Sequence, residues 1–188
     1  MRRITLSLAF ALLAVPLHAQ EIDRAEQRLD LVARAPAACV LDSAGATEAD
    51  NAAFTASGPG GGQIAIRQLV DANTATSLAS SVRLDLPLLC NASHRIVLRS
   101  ANGGLLRAGG SATAGSTGGF AEFLPYRLSL GWAGQVLDRG SDQGEATINA
   151  DRPAAGSVDL RVATLPGQGP LVAGQYNDTI VVEFQPAN

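Results

Sequence analysis

The stretch "GQYNDTIVVEFQPAN", residues 174–188, decides the fold. In it Ile180, Val182 and Phe184 alternate with Thr179, Val181 and Glu183. β-Branched and aromatic residues at period two fit a strand with one buried face. Only four residues follow Phe184, which raises the question of what pairs with the strand's other side.

Working outward, the same alternation recurs. Leu29, Leu31, Ala33 and Ala35 alternate ahead of Pro36, and Val40 and Leu41 follow Cys39. Ile64 and Ile66 start another strand, and Val82, Leu84, Leu86 and Leu88 alternate up to Cys90. Ile96 and Leu98, then Tyr126, Leu128 and Leu130, then Val158, Leu160 and Val162 repeat the pattern. Turn chemistry separates these runs. Residues 42–62, ending in "SGPGGG", read as a polar, Gly-rich loop. "ANGG" at 101–104 reads as a hairpin turn, because Asn-Gly tolerates positive φ. Residues 103–119 hold seven Gly and read as a mobile loop, and "LPGQGPLVAG" is a Pro/Gly connector. Helical periodicity is weak: residues 21–32 fit a short helix and 69–80 hold at most a turn. Many short strands with Gly/Pro punctuation predict an all-β sandwich or barrel in one domain, with no internal repeat.

The N-terminus reads as an export signal. Arg2 and Arg3 precede an apolar run, Ile4 to Val15, and Leu17-His18-Ala19 offers a cleavage site. The run is too short to span a bilayer comfortably. The expected organisation is a signal peptide at 1–19, an N-terminal extension at 20–36 and a domain at 37–188. After residue 19 there are 12 Arg against 17 acids, a net charge of −5, and no Lys anywhere. A mildly acidic chain is a poor partner for nucleic acid. Export to an oxidising compartment predicts that Cys39 and Cys90 form a disulfide. It would close a loop of roughly 50 residues, contributing on the order of 4 kcal/mol in the chain-entropy picture.

Reactive groups are few. His94 is the one histidine after the signal, and it reads as an exposed residue at a strand start. No G-x-S-x-G elbow occurs. "SGPGGGQ" lacks both the third glycine of a dinucleotide loop and the Lys-Ser/Thr of a P-loop. Asp138, Asp142 and Glu145 in "DRGSDQGE" miss calcium-loop spacing and read as a hairpin loop. One His cannot complete a metal site, no cofactor is indicated, and an enzyme reading would rest on His94 alone. The sequons at Asn91 and Asn177 read as chance, and Trp132 as core or strand edge.

Residues 170–184, "PLVAGQYNDTIVVEF", resemble the C-terminal signature of spore coat protein U domain proteins, which are similar to the subunits of archaic chaperone–usher pili. "QRLDLVARAPAACVL" leading into Cys39, "SVRLDLPLLCN" around Cys90, and "YRLSL" at 126–130 agree in order. The Gly-rich loop and the four residues after Phe184 depart from the pattern. The resemblance implies an immunoglobulin-like β-sandwich that lacks its last strand and is completed by a strand donated from another molecule. Tyr176, Ile180, Val182 and Phe184 would form the acceptor-groove strand. Leu29, Leu31, Ala33 and Ala35 would be the donor, with Asp30, Val32 and Arg34 pointing outward. The implied partners are a periplasmic chaperone, an outer-membrane usher and neighbouring subunits in a head-to-tail fibre at the cell surface. The alternative for residues 27–35 is an ordinary first strand of the same domain or a loose tail. The alternative is a self-complete secreted sandwich acting in a coat or matrix, or as a ligand-binding module.

Overall fold

The computed structural model describes residues 27–58, 60–112 and 118–187; the expected signal peptide lies outside them. The chain divides after Arg34. Of the first unit, residues 27–34 form neither helix nor strand, so the helix expected over 21–32 is absent from its described part. Leu29, Leu31 and Val32 there are 84%, 99% and 85% exposed.

From Ala35 onward the described chain is almost wholly β. Its strands are β1 (Cys39–Leu41), β2 (Gly45–Asp50), β3 (Ala52–Ala56), β4 (Gly62–Ile66), β5 (Ser80–Cys90), β6 (His94–Ser100), β7 (Leu105–Arg107), β8 (Phe123–Leu124), β9 (Arg127–Trp132), β10 (Gln135–Gly140), β11 (Ala146–Ala150), β12 (Ala154–Thr164), β13 (Tyr176–Asn177) and β14 (Ile180–Pro186). The larger sheet runs β1-β5-β12-β9-β10, with β2 following β1 along the same side of β5. The second sheet is β11-β6-β14. Two small sheets, β13-β7-β8 and the hairpin β3-β4, complete the domain.

The alternating runs build the core as expected. Strands β5 and β12 pair along eleven residues each. Val82, Leu84, Leu86 and Leu88 of β5 join Val158 and Leu160 of β12 and Leu128 and Leu130 of β9 on one inner face. Ile96, Leu98 and Ile148 supply the other. Each such side chain contributes roughly 1.5–3 kcal/mol of burial, which makes this two-layer core the main source of stability. Trp132 is buried in it.

Pro87 sits in the middle of β5, where a central strand should not carry proline. Its carbonyl accepts from Asp42 N at 3.0 Å, so its missing N–H faces the β1/β2 side. That is where β1 ends and the chain steps out before β2 resumes. The loop expected over 42–62 is corrected here: residues 45–50 and 52–56 are strands. All of β2 is exposed; it is held by backbone ladder bonds to β5, which polar side chains do not oppose. "ANGG" is likewise no hairpin, since it links β6 to β7, and these lie in different sheets. "DRGSDQGE" crosses from β10 in one sheet to β11 in the other through a single 3-10 turn at Ser141–Gln143. The supposed loop at 103–119 contains β7, and Leu105 packs on the core. The turn expected within 69–80 is present, closed by Asp71 accepting from Asn73 N and Thr74 N.

Cys39 and Cys90 are cross-strand partners and form the expected disulfide, with Cα atoms 4.1 Å apart. It fastens the three-residue β1 to β5. Asn91 extends the fastening: its Oδ1 accepts from Ala38 N (2.7 Å) and its Nδ2 donates to Pro36 O (2.9 Å). The Cys39→Ser/Cys90→Ser variant is expected to lose about 4 kcal/mol of stability, a fall of roughly 10 °C in thermal midpoint. Thermal denaturation followed by circular dichroism checks this; an unchanged midpoint would mean the bridge stabilises nothing.

Candidate functional site

The geometry of β14 follows from its ladder. Its register on β6 pairs Ile180 with Ser100 through Pro186 with His94. Ala101 N donates to Thr179 O and Ala187 N to Ser93 O, both at the ends of this ladder. In an antiparallel pair the bonded residues alternate. Val181, Glu183 and Gln185 therefore turn their backbone groups to β6. Ile180, Val182 and Phe184 turn their N–H and C=O groups to the opposite edge. Among the described residues no strand pairs with that edge. Pro186 has no N–H, so the row of free donors stops there.

The residues with free backbone groups also face inward. Ile180, Val182 and Phe184 are half-buried against the core and line an open groove of about 420 Å³. Its floor is Val82, Leu84 and Leu86 of β5 with Leu160 and Val162 of β12. Leu41, Ala44, Phe54 and Ile64 line it on the side of β1 and the β3-β4 hairpin. On the opposite face of β14, beside Val181, Glu183 pairs with Arg99 at 3.2 Å and Gln185 accepts from Arg95 at 2.6 Å. A row of free ladder groups thus lies beside an open slot of core side chains. That is what an added strand needs: main-chain bonds for affinity and pockets for alternate side chains.

The expected acceptor strand, Tyr176 to Phe184, is corrected in one respect. It breaks at Asp178–Thr179, and Tyr176 belongs to β13, paired with β7. The cause is Asp178. Its Oδ2 accepts from Tyr126 Oη (2.7 Å) and from Ser100 Oγ. Its Oδ1 accepts from Asn102 N (2.9 Å) and Thr179 N (2.7 Å). One carboxylate with four donors locks the start of β14 to the end of β6 and to the residue before β9. Burial pushes the Tyr126 hydroxyl well above its usual range, so it stays a donor. Tyr176 still reaches the groove; its hydroxyl donates to Val172 O at 2.7 Å, and burial pushes its pKa above the usual range too, so it also stays protonated.

The remaining candidates are accounted for differently. His94 is not exposed, as the sequence led one to expect, but 3% accessible inside the sandwich. Its Nδ1 lies 2.9 Å from Ala92 O, which can only accept, and its Nε2 lies 2.8 Å from Trp132 Nε1, which can only donate. The ring is therefore neutral, protonated on Nδ1, and both nitrogens are engaged in holding the core. Asp138 pairs with Arg127. Among the described residues no cluster of three His, Cys, Asp or Glu has the geometry of a metal site. Leu29, Leu31, Ala33 and Ala35 are exposed and in no strand.

No protein-family model matches the chain, and no curated protein matches it. Among solved structures it is similar to a chain from a chaperone–tip adhesin complex described as vital for synergistic activation of CFA/I fimbriae biogenesis. The identity is 20% and the TM-score 0.36, over 64% of this chain and 40% of that one. The matched region thus spans less than half the length of that relative.

The Asp178 fastening generates a prediction. Asp178→Ala strands four donors and is expected to cost about 3 kcal/mol. Tyr126→Phe removes one of them and is expected to cost about 1 kcal/mol. The double variant should lose less than the sum, because the two share a bond. Urea unfolding of the four proteins checks the cycle, and strict additivity would dissolve the network.

Proposed function

We propose that this protein is a non-catalytic structural subunit of a bacterial surface fibre, assembled by donor-strand complementation. The observation that carries the reading is the free edge of β14 beside an open apolar groove. The resemblance of residues 170–184 to the spore coat protein U signature agrees with it. The donor is the segment around Leu29, Leu31, Ala33 and Ala35 of a second copy. It alternates over seven residues, the length of β14, and its leucines are exposed where it stands. Only Pro36 to Ala38 separate it from β1, and Asn91 holds both Pro36 and Ala38. Head-to-tail donation is heterologous and propagates into a fibre. A periplasmic chaperone would fill the groove before assembly and an outer-membrane usher would guide export. Residues 1–19 act as the export signal in this reading.

Size-exclusion chromatography with light scattering tests it, on protein isolated with and without its chaperone. Multimer ladders, or survival only as a one-to-one chaperone complex, are expected. Leu29→Asp/Leu31→Asp should abolish the ladders, because two buried carboxylates cost several kcal/mol, while the domain still folds. Ladders of normal length from that variant would remove the donor assignment. A wild-type protein that is a stable, inert monomer would favour the self-complete binding module.

A further inference from the structure

The two sides of the groove are attached to the domain in different ways. Strand β14 is laddered to β6 along its whole length. The β3-β4 hairpin is laddered only to itself. Asn51, with φ +48°, turns the chain off the edge of β5 into the hairpin. Its side chain closes the base, with Nδ2 donating to Gln68 O (2.7 Å) and Ala79 O (3.0 Å) and Oδ1 accepting from Gln68 N (3.1 Å). Beyond that clamp, Phe54 and Ile64 rest on the core while remaining half-exposed to the groove. Gly62 leaves room for the Phe54 ring: a Cβ there would stand 2.3 Å from it. At the far end, Gly60 comes up against Leu41 of β1.

From this we infer that β3-β4 is an adjustable jaw that reads the side chains of the incoming strand, with Phe54 and Ile64 as its specificity-determining residues. The inference rests on the strand-acceptor reading of the groove. Strand β14 supplies main-chain bonds, which any extended segment satisfies equally. Discrimination has to come from the side-chain pockets. Phe54 and Ile64 are large and apolar, and they face the groove without being covered. A strand carrying leucines buries them, and one carrying only alanines leaves them wet. Because no ladder binds the hairpin to either sheet, it can shift to meet side chains of different size without breaking backbone bonds. The occupant this selects is an extended segment with large aliphatic residues two apart, which Leu29 and Leu31 of a second copy provide.

Synthetic peptides of residues 27–36, as the natural sequence and with Leu29→Ala/Leu31→Ala, are titrated by calorimetry against the purified Leu29→Asp/Leu31→Asp protein, which cannot fill its neighbours' grooves. Hydrogen exchange of β3, β4 and β14 is followed in parallel. The natural peptide should bind at least tenfold more tightly than its alanine form and slow exchange in all three strands. Phe54→Ala should lose about tenfold for the natural peptide and little for the alanine form. Ile64→Val, which trims one methyl group and keeps the fold, should shift the same ratio by a few-fold. Equal losses for both peptides would overturn the inference. So would a gain in affinity on Phe54→Ala, or faster hairpin exchange on binding; either would make the hairpin a plug that is displaced. If β14 is protected while β3-β4 is unchanged, the jaw fails and the acceptor edge stands. If neither peptide binds, both fall.

Discussion

The structure turns on one row of main-chain groups, the N–H and C=O of Ile180, Val182 and Phe184. An edge strand in water is common, but it is usually short, charged or covered. This one is seven residues long and turns Ile180, Val182 and Phe184 to the groove side. The usual defences are displaced to where they do not block pairing. Glu183 and Gln185 are on the far face, engaged with Arg99 and Arg95, and the single proline stands at the end of the row. An edge of this composition is a hazard in a free monomer and an asset in a subunit that passes from one partner to the next.

The rest of the domain keeps that row in place. The β5-β12 pairing and its core fix the floor of the groove. Asp178 pins the start of β14, so the strand enters with its inward face set by the polar contacts behind it. The disulfide and Asn91 fix β1, and with it the point from which the N-terminal segment departs. Slippage of β14 by one residue would turn Ile180, Val182 and Phe184 outward and bury Glu183; the four bonds on Asp178 oppose that slip at its origin.

Legibility in the sequence followed a physical divide. Strands whose one face is buried announce themselves by period-two alternation, and β5, β6, β9, β12 and β14 were all readable from it. Strands held by backbone ladders alone leave no such trace, so the exposed "GATEAD" of β2 passed for loop. Turn chemistry misled where it marked a crossing between sheets instead of a hairpin. The genuine two-residue hairpin, between β9 and β10, uses Ala133 at φ +49° before Gly134 at +78°, a pairing that alanine does not advertise. His94 reads as exposed because it is a lone polar residue beside arginine. Its burial depends on Trp132, 38 positions away. In the groove, the β14 side chains were legible, while Phe54 and Ile64 were not: their role depends on a hairpin folding over an opening that only the assembled sheets define. Pro87 was the available clue that the edge beside β5 is interrupted.

The most direct test of the account is a single proline placed on each of two adjacent residues of β14. The N–H of Val182 points to the free edge, and that of Val181 to β6. Val182→Pro should give a folded domain, with the wild-type circular dichroism spectrum, that forms no multimers by size-exclusion chromatography with light scattering. Val181→Pro should fail to fold, since it removes a bond from the internal ladder. Multimers of wild-type length from Val182→Pro would contradict the account, because assembly would then not use the edge on which it rests.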